Sequence, residues 1–414
     1  MCIRDSFLIA MRALMGVGAA LVMPSTLSLV MMAFPPQERA KAIAVWVGFA
    51  GAGGSLGPIM GGFLLTHFWW GSVFFVPVVL AVATLIACSV VAPKAREPGR
   101  PRLDPAGALL SVIGLSSFLF AIIEGPEKGW TDAVVIGAFA VALLGIGGFV
   151  VWERRTATPM LDIKYFGNRR FAAGTVGITL AFLAMFAMFF VLTQYLQYVL
   201  GYSPLKAGFA GLPVAVSLIV VSPRSIRLSA RIGIKRMVVA GMLTIAIGLT
   251  LLSLVGLSTA YLYIALALVV TGCGMAVTTP ALSAAIVTAL PMHKAGVASA
   301  VNDTTRELGG AMGIAIVGGI VTSAYRDQLA PTLAGLPGEA AEQAGKNVGR
   351  ATRVAEELAA QGGDGTFLDA VRGAFVDGAR VGLRVAAVLI LLGAVYIARQ
   401  FPSDDPVPAA SAAG

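Results

Sequence analysis

Residues 16–24 read GVGAALVMP, and residues 272–280 read GCGMAVTTP. Both segments follow the pattern G-x-G-x-A-x-x-x-P. The loops after them also match, because Pro36 and Arg39 align with Pro291 and Lys294. Self-similarity at a fixed offset is typical of a repeated structural unit. The chain is therefore predicted to contain two related parts.

The composition predicts that both parts lie in a membrane. Hydrophobic residues make up 57% of the 414 residues and charged residues only 12%, whereas soluble domains are about 25% charged. A soluble fold cannot bury so much apolar surface. Soluble enzymes, secreted scaffolds, disordered proteins and nucleic-acid-binding proteins are excluded, even though the net charge is +9.

Eleven stretches are long and apolar enough for a spanning helix, which needs roughly 20 mostly apolar residues. Their apolar runs are continuous, which favours helices over the alternating strands of a barrel. We therefore predict an all-α integral membrane protein. The stretches are 7–33, 41–66, 70–92, 104–124, 131–152, 171–199, 207–222, 237–256, 259–290, 296–324 and 376–398.

The distribution of basic residues predicts the orientation. Eighteen Lys and Arg residues lie in or beside the loops after stretches one, three, five, seven and nine, or just before the tail 401–414, where Arg399 lies. Only Lys128 and Lys206 lie in the short loops of the other side. Cytoplasmic loops are enriched in Lys and Arg. The C-terminal tail is therefore predicted to be cytoplasmic.

The direction of the repeat predicts the domain organisation. Stretches one and nine run the same way, so the repeat is parallel, but they lie eight stretches apart rather than six. Two extra helices, residues 104–152, would separate a three-helix part, residues 1–103, from a six-helix half, residues 153–400. The partners of stretches six to eight would lie upstream. We expect fourteen helices in the intact protein, of which this N-terminally truncated chain holds eleven, and we do not expect residues 1–6 to be the natural start.

Three motifs inside the apolar stretches combine closely spaced glycines with a proline or a charge. Small residues let helix backbones approach closely, and charged residues inside a membrane are usually functional. The motifs are Arg12-x-x-x-Gly16-x-Gly18 continued by Pro24, Gly53-x-x-x-Gly57-Pro58-x-x-Gly61-Gly62, and Asn302-x-x-x-Arg306-x-Leu308-Gly309-Gly310-x-x-Gly313.

With these motifs, the chain resembles the fourteen-helix drug:proton antiporter family of the major facilitator superfamily. The first motif resembles the family's fourth-helix motif, whose arginine is implicated in proton transfer. The second resembles the fifth-helix antiporter motif of exporters, and the third resembles the thirteenth-helix pattern. The resemblance covers nearly all of residues 7–400. It implies two parallel six-helix halves plus two inserted helices, and proton-coupled efflux of lipophilic or cationic drug-like compounds across a bacterial cytoplasmic membrane.

The charged residues inside the stretches are the candidates for the proton and substrate pathway. Arg12 has Leu268 as its repeat counterpart, so the fold does not demand this charge. It is interpreted either as functional or as snorkelling to the interface. Asp303, Arg306 and Glu307 share one helix face.

Arg306 can neutralise one of the two carboxylates and leave the other available for a proton. A self-neutralised structural cluster is an equally open interpretation, and Asn302 is placed on the same path. The family's first-helix acidic residue is absent, so the proton-coupling acid is not identified from the sequence.

Stretch six is rich in aromatic residues and methionine, which suit large lipophilic cations. Lipid contact is the alternative for most of them. The candidate substrate-lining residues are Phe186, Phe190, Gln194 and Tyr195.

The loop 325–375 is predicted on the outer side. Its Ala- and Glu-rich part, residues 339–360, predicts a helix that ends at Gly362. A solvated cap or disordered hairpin is one interpretation, and a surface for a periplasmic or extracellular partner is the other.

No phosphate-binding G-x-x-x-x-G-K-[ST] motif occurs, so the energy is predicted to come from an ion gradient. Three scattered cysteines and two distant histidines give no metal site, and we expect neither an enzyme nor a cofactor. A passive facilitator or channel, a transporter of another small solute, and a non-transporting structural or sensor protein remain alternatives.

Overall fold

The computed structural model describes residues 2–91, 104–291, 294–336, 338–360 and 365–402, and no strand occurs among them. A short 3₁₀ turn lies at Ile163–Gly167 and a π-helical turn at Tyr195–Val199. The helices are α1 (Cys2–Ala33), α2 (Pro36–His67), α3 (Ser72–Val91), α4 (Pro105–Lys128), α5 (Ala133–Arg155), α6 (Arg169–Gln194), α7 (Pro204–Ala210), α8 (Leu212–Ile232), α9 (Ile234–Leu252), α10 (Tyr261–Thr288), α11 (Ala295–Leu333), α12 (Gly338–Lys346), α13 (Val348–Ala360) and α14 (Thr366–Gln400).

The all-α membrane fold is confirmed. Within the described ranges, ten segments are long and apolar enough to cross a membrane, with α7 and α8 forming one of them. The remaining predicted stretch, 41–66, is also helical and forms α2, which has 32 residues. Asp104, Asp132 and Asn168 each accept a backbone N–H at the start of a helix, which satisfies amide donors that the helix leaves unpaired.

Helices α11 and α14 extend into the segment 325–375, beyond the predicted stretches 296–324 and 376–398. α11 has 39 residues and α14 has 35, and at 1.5 Å per residue these lengths of roughly 58 and 52 Å exceed the ~30 Å hydrocarbon core. The helical prediction for 339–360 agrees with α12 and α13, whereas Gly362 lies outside the described residues.

The helices α12 and α13 form a cap on the extended ends of α11 and α14. The Tyr325 hydroxyl donates to the Ala344 carbonyl at 3.1 Å, and Arg326 Nε donates to the Gly345 carbonyl at 3.1 Å. These hydrogen bonds favour the solvated cap over a disordered hairpin. An outer partner for this surface stays a prediction.

Helix α11 packs in parallel on α6 through its glycines. A Cβ atom at Gly309 would collide with the backbone of Thr179, and one at Gly313 would collide with the backbone of Leu183. Close backbone approach is a principal source of helix association in lipid. These glycines therefore fix the register of α11, and with it the position of the charged cluster on that helix.

Gly313→Ala is expected to destabilise the protein by ~1–3 kcal/mol, because an added methyl group has no space against α6. Gly147→Ala in α5 is the matched control, since nothing lies within 4 Å of a Cβ there. Replacing a helical glycine with alanine stabilises by roughly 0.5–1 kcal/mol where space allows. Thermal unfolding in detergent should shift in opposite directions for the two variants, and equal shifts would refute the packing account.

Helices α1 and α3 expose most of their apolar side chains, among them Phe7, Leu85 and Val90. Such surfaces are typical of contact with lipid. Near its C-terminal end α1 turns inward, because Leu27 is buried in the same core as Ile43 of α2. Helix α1 therefore meets the α6–α14 bundle at its C-terminal end, whereas α2 contacts α7 and α8 of the bundle over more of its length.

Helices α4 and α5 form an antiparallel hairpin in which Gly114 and Gly145 meet at the crossing. The hairpin packs against α11, where a Cβ atom at Gly319 would lie 2.8 Å from the Pro126 ring. The predicted two-helix insert, residues 104–152, thus coincides with a structural hairpin. Its assignment as a linker between two halves stays a prediction.

Candidate substrate and proton site

A cavity of about 790 Å³ lies between α1, α2, α4, α6, α8, α10 and α11. Its volume falls in the range of drug-sized ligand pockets. Its walls are lined by Gly16, Ala19, Ala20, Met23, Gly54, Pro58, Leu115, Leu119, Phe182, Met185, Phe186, Phe189, Thr193, Val214, Leu218, Met275, Thr279, Ala300, Asp303, Thr304, Arg306, Glu307 and Leu308.

The cavity is mostly apolar, and its charged residues all lie on one side. Three phenylalanines and three methionines contribute to its lining, and its charged residues are Asp303, Arg306 and Glu307, all from α11. Methionine and aromatic side chains adapt to varied lipophilic ligands. The charged side of the cavity is therefore supplied by one helix face.

The Arg306 side chain lies between two aromatic rings. Its guanidinium carbon is 4.8 Å from the Trp46 ring centroid and 4.7 Å from the Phe182 ring centroid. Both distances are within the ~6 Å limit of a cation–π interaction. Trp46 of α2 and Phe182 of α6 thus contact the guanidinium of Arg306, which belongs to α11.

Asp303 is the nearest carboxylate to this cation. Arg306 Nη1 lies 3.7 Å from Asp303 Oδ1, and Asn302 Nδ2 donates to the same oxygen at 3.4 Å. Arg306 Nε and Asp303 Oδ2 are buried without a hydrogen-bond partner among the described residues. A 3.7 Å separation is too long for a strong hydrogen bond, so the pair is loosely joined.

Glu307 differs from Asp303 in its surroundings. Asp303 is 8% exposed, whereas Glu307 is exposed and lines the cavity. No ion pair joins Glu307 to a cation within the described part of the chain. The structure therefore brings the predicted cluster together at the cavity and leaves Glu307 as its unpaired carboxylate.

Trp46 lies outside the cavity lining but contacts the cavity-lining Arg306, and the sequence did not single it out. Its indole N–H donates to Thr26 Oγ1 of α1 at 3.2 Å, which fixes the ring against Arg306. Trp46, Gly54 and Pro58 are spaced by eight and four residues, so they share a face of α2. That spacing is the signal by which the sequence alone points to Trp46.

The four glycines of the α2 motif differ in how closely a neighbouring helix approaches them. A Cβ atom at Gly62 would lie 2.8 Å from the Leu205 backbone of α7, whereas nothing lies within 4 Å of one at Gly53, Gly57 or Gly61. Pro58 lines the cavity instead. Among the glycines, the predicted close approach is therefore found at Gly62, and the Pro58–Ile59 backbone makes a second one, because a Cβ atom at Gly208 of α7 would lie 2.9 Å from Ile59 Cα.

Gly62→Ala is expected to slow export by about tenfold, equivalent to ~1.4 kcal/mol, by forcing α2 away from α7. Gly61→Ala adds the same methyl group one residue away in open space. Initial export rates normalised to protein in the membrane provide the test. Equal rates for the two variants would show that this contact does not matter for transport.

The residues of the α1 motif differ in their position relative to the cavity. Gly16 lines the cavity and Gly18 does not, and a Cβ atom at either glycine would meet nothing within 4 Å. Pro24 lies inside α1. Arg12 is exposed and outside the lining set, but it lies one turn before Gly16 and thus on the cavity face of α1.

The four candidate substrate-lining residues of stretch six also differ in whether they line the cavity. Phe186 lines the cavity, and Phe190 packs on Gly318 of α11. Gln194 donates to the carbonyl of Phe190 at 3.2 Å, and the Tyr195 hydroxyl donates to the Gly256 carbonyl at 2.6 Å. The structure thus places Phe190, Gln194 and Tyr195 outside the lining set, where their described contacts are with the protein.

Comparison with known proteins identifies the family. The sequence profile of the Major Facilitator Superfamily matches residues 2–314. The multidrug efflux pump LfrA of Mycolicibacterium smegmatis is 34% identical over 395 residues, which cover 95% of this chain and 78% of LfrA. The multidrug resistance protein Stp of Mycobacterium tuberculosis is 33% identical over 325 residues, 78% of this chain and 60% of Stp.

The tetracenomycin C resistance and export protein of Streptomyces glaucescens is 30% identical over 426 residues, covering 98% of this chain and 78% of that protein. The chain therefore belongs to the Major Facilitator Superfamily, and the predicted resemblance is confirmed. It is a multi-pass membrane protein whose relatives carry the names of multidrug efflux and resistance proteins.

Proposed function

We propose that this protein exports lipophilic, cationic drug-like compounds in exchange for protons. The observation that carries the proposal is a cavity that joins phenylalanine and methionine walls to one carboxylate-bearing helix face. Apolar walls accept varied lipophilic groups, and a carboxylate favours a positive charge. The names of LfrA and Stp support efflux of several drugs.

Glu307 is proposed as the group that exchanges a proton for the substrate. Arg306 lies beside Asp303 and offsets its charge, which leaves Glu307 facing the cavity. A proton on Glu307 removes the attraction for a cation, and loss of that proton restores it. Proton and substrate therefore compete for one site, which is the minimum requirement for an antiporter.

Transport further requires the site to open to each side in turn. We propose that residues 1–103 and 153–400 form two parallel halves that rock against each other, as parallel-repeat transporters do. Support comes from the cavity itself, whose walls come from α1 and α2 of the first part and from α6, α8, α10 and α11 of the second, with α4 of the intervening hairpin contributing Leu115 and Leu119. We also propose that the protein lies in a bacterial cytoplasmic membrane, with its C-terminus in the cytoplasm.

Accumulation of tetraphenylphosphonium tests the proposal in cells that express the protein from its genomic reading frame. Expressing cells should retain less of this lipophilic cation than cells without the gene, and a protonophore should abolish the difference. Equal accumulation with and without the gene would rule out export. A difference that survives the protonophore would rule out proton coupling.

A further inference from the structure

We infer that Arg306 is a tethered competitor that occupies the cation subsite between Trp46 and Phe182 and that a cationic substrate must displace. The inference rests on the proposed function and adds a specificity-determining residue to it. The guanidinium holds the position that a lipophilic cation would seek, between two ring faces 4.8 and 4.7 Å away and beside Asp303.

The geometry of Arg306 makes it replaceable. A guanidinium has five N–H donors and is held most strongly by two parallel hydrogen bonds to a carboxylate. Here Nη1 is 3.7 Å from Asp303 Oδ1, and Nε has no hydrogen-bond partner among the described residues. The aromatic rings, rather than directed hydrogen bonds, provide the contacts that retain the side chain.

The subsite remains formed when the arginine leaves it. The Trp46 indole is held by its own hydrogen bond to Thr26 at 3.2 Å, and Phe182 is anchored in α6, whose register is fixed by the close contacts at Gly309 and Gly313 of α11. A planar or aryl-bearing cation that takes this place therefore gains cation–π contacts with the two rings that replace those lost by the guanidinium. A neutral compound regains no cation–π energy, so the arginine discriminates by charge.

Displacement also changes the connection between helices. Arg306 on α11 contacts Trp46 on α2, and these helices lie in the two parts proposed to move against each other. A bound cation that takes the ring faces separates α11 from α2. Occupancy of the subsite is thereby linked to the freedom of the two parts to move.

The test is a double-mutant cycle on purified protein, with equilibrium dialysis of tetraphenylphosphonium as the readout. Arg306→Gln should bind the cation about tenfold more tightly than the unaltered protein, the gain expected when one cation–π competitor is removed. In the Trp46→Leu background the same substitution should give little gain, because the subsite has lost one ring. Equal gains in the two backgrounds would indicate simple removal of a positive charge and would overturn the inference.

Three further arms complete the test. Arg306→Lys keeps a cation that can also contact the rings but loses the planar stacking group, so its gain in affinity should be smaller than that of Arg306→Gln, and a gain equal to that of Arg306→Gln would contradict the inference. Triphenylphosphine oxide, a neutral aryl compound, should gain nothing from Arg306→Gln, and an equal gain would indicate only added volume. Arg399→Gln, exposed at the end of α14, is the charge-matched control and should leave both affinities unchanged.

The outcomes separate this inference from the proposed function. Binding of the cation by the unaltered protein without the predicted coupling between Arg306 and Trp46 would overturn the competitor role alone. Absence of cation binding in every variant, with unchanged size-exclusion profiles, would overturn both the inference and the proposed substrate class.

Discussion

Glu307→Gln is expected to abolish proton movement driven by tetraphenylphosphonium and to weaken binding of this cation by about tenfold or more. One charge pair at 4 Å near a protein surface is worth up to ~4 kcal/mol, and tenfold in affinity corresponds to 1.4 kcal/mol. Glutamine keeps the size of the side chain but carries no proton that the cation can replace. Equilibrium dialysis and a pH-sensitive dye inside proteoliposomes measure the two effects.

The matched control is Glu342→Gln in the cap. Glu342 is exposed and pairs with Lys346 at 2.8 Å, and exposed pairs of this kind contribute little. The control should retain both cation binding and proton flux. Undiminished proton flux in Glu307→Gln would assign the exchanging carboxylate elsewhere, and Asp303→Asn is then the variant to examine.

Arg12→Ala is expected to reduce export to the level of cells without the protein while leaving insertion intact. Arg12 lies one turn before the cavity-lining Gly16 on α1, and its counterpart in the repeat is Leu268. A charge inside a membrane costs about 2.5–3.5 kcal/mol on insertion scales. Because the repeat has an apolar residue at the equivalent position, the fold does not need this charge, and a role in the proton and substrate pathway explains why Arg12 is there. Export rates and protein levels in isolated membranes provide the measurement.

Two companion variants sharpen this prediction. Arg12→Lys retains the charge without the planar guanidinium, and partial export would show that charge contributes. Arg399→Ala removes an exposed arginine at the end of α14 and should leave export unchanged. Export at the unaltered rate in properly inserted Arg12→Ala would make Arg12 a snorkelling residue rather than part of the pathway.

The sequence predicted the features that depend on local pattern. Long continuous apolar runs specify spanning helices, and the spacing of Asp303, Arg306 and Glu307 places them on one face of α11. Both are properties of a single helix. The fold class and the clustering of these charges were therefore accessible without a structure.

Features that depend on two helices were harder to predict. Gly57 and Gly62 belong to one motif, yet only Gly62 meets a neighbouring backbone, because α7 approaches α2 at that level. Tyr195 has an aromatic side chain suited to a substrate, but its hydroxyl donates a hydrogen bond to the carbonyl of Gly256, which follows α9. The spacing of Trp46 from Gly54 and Pro58 indicates its helix face, but it does not identify its partners, Thr26 on α1 and Arg306 on α11.

Simultaneous measurement of cation and proton flux in proteoliposomes tests the central claim most directly. The protein is expressed from its genomic reading frame, and an outward gradient of tetraphenylphosphonium is imposed at equal pH on both sides. The account predicts that protons enter as the cation leaves and that Glu307→Gln stops both flows. Exit of the cation at the same rate with no proton entry, in the unaltered protein, would contradict an antiporter and identify a passive facilitator.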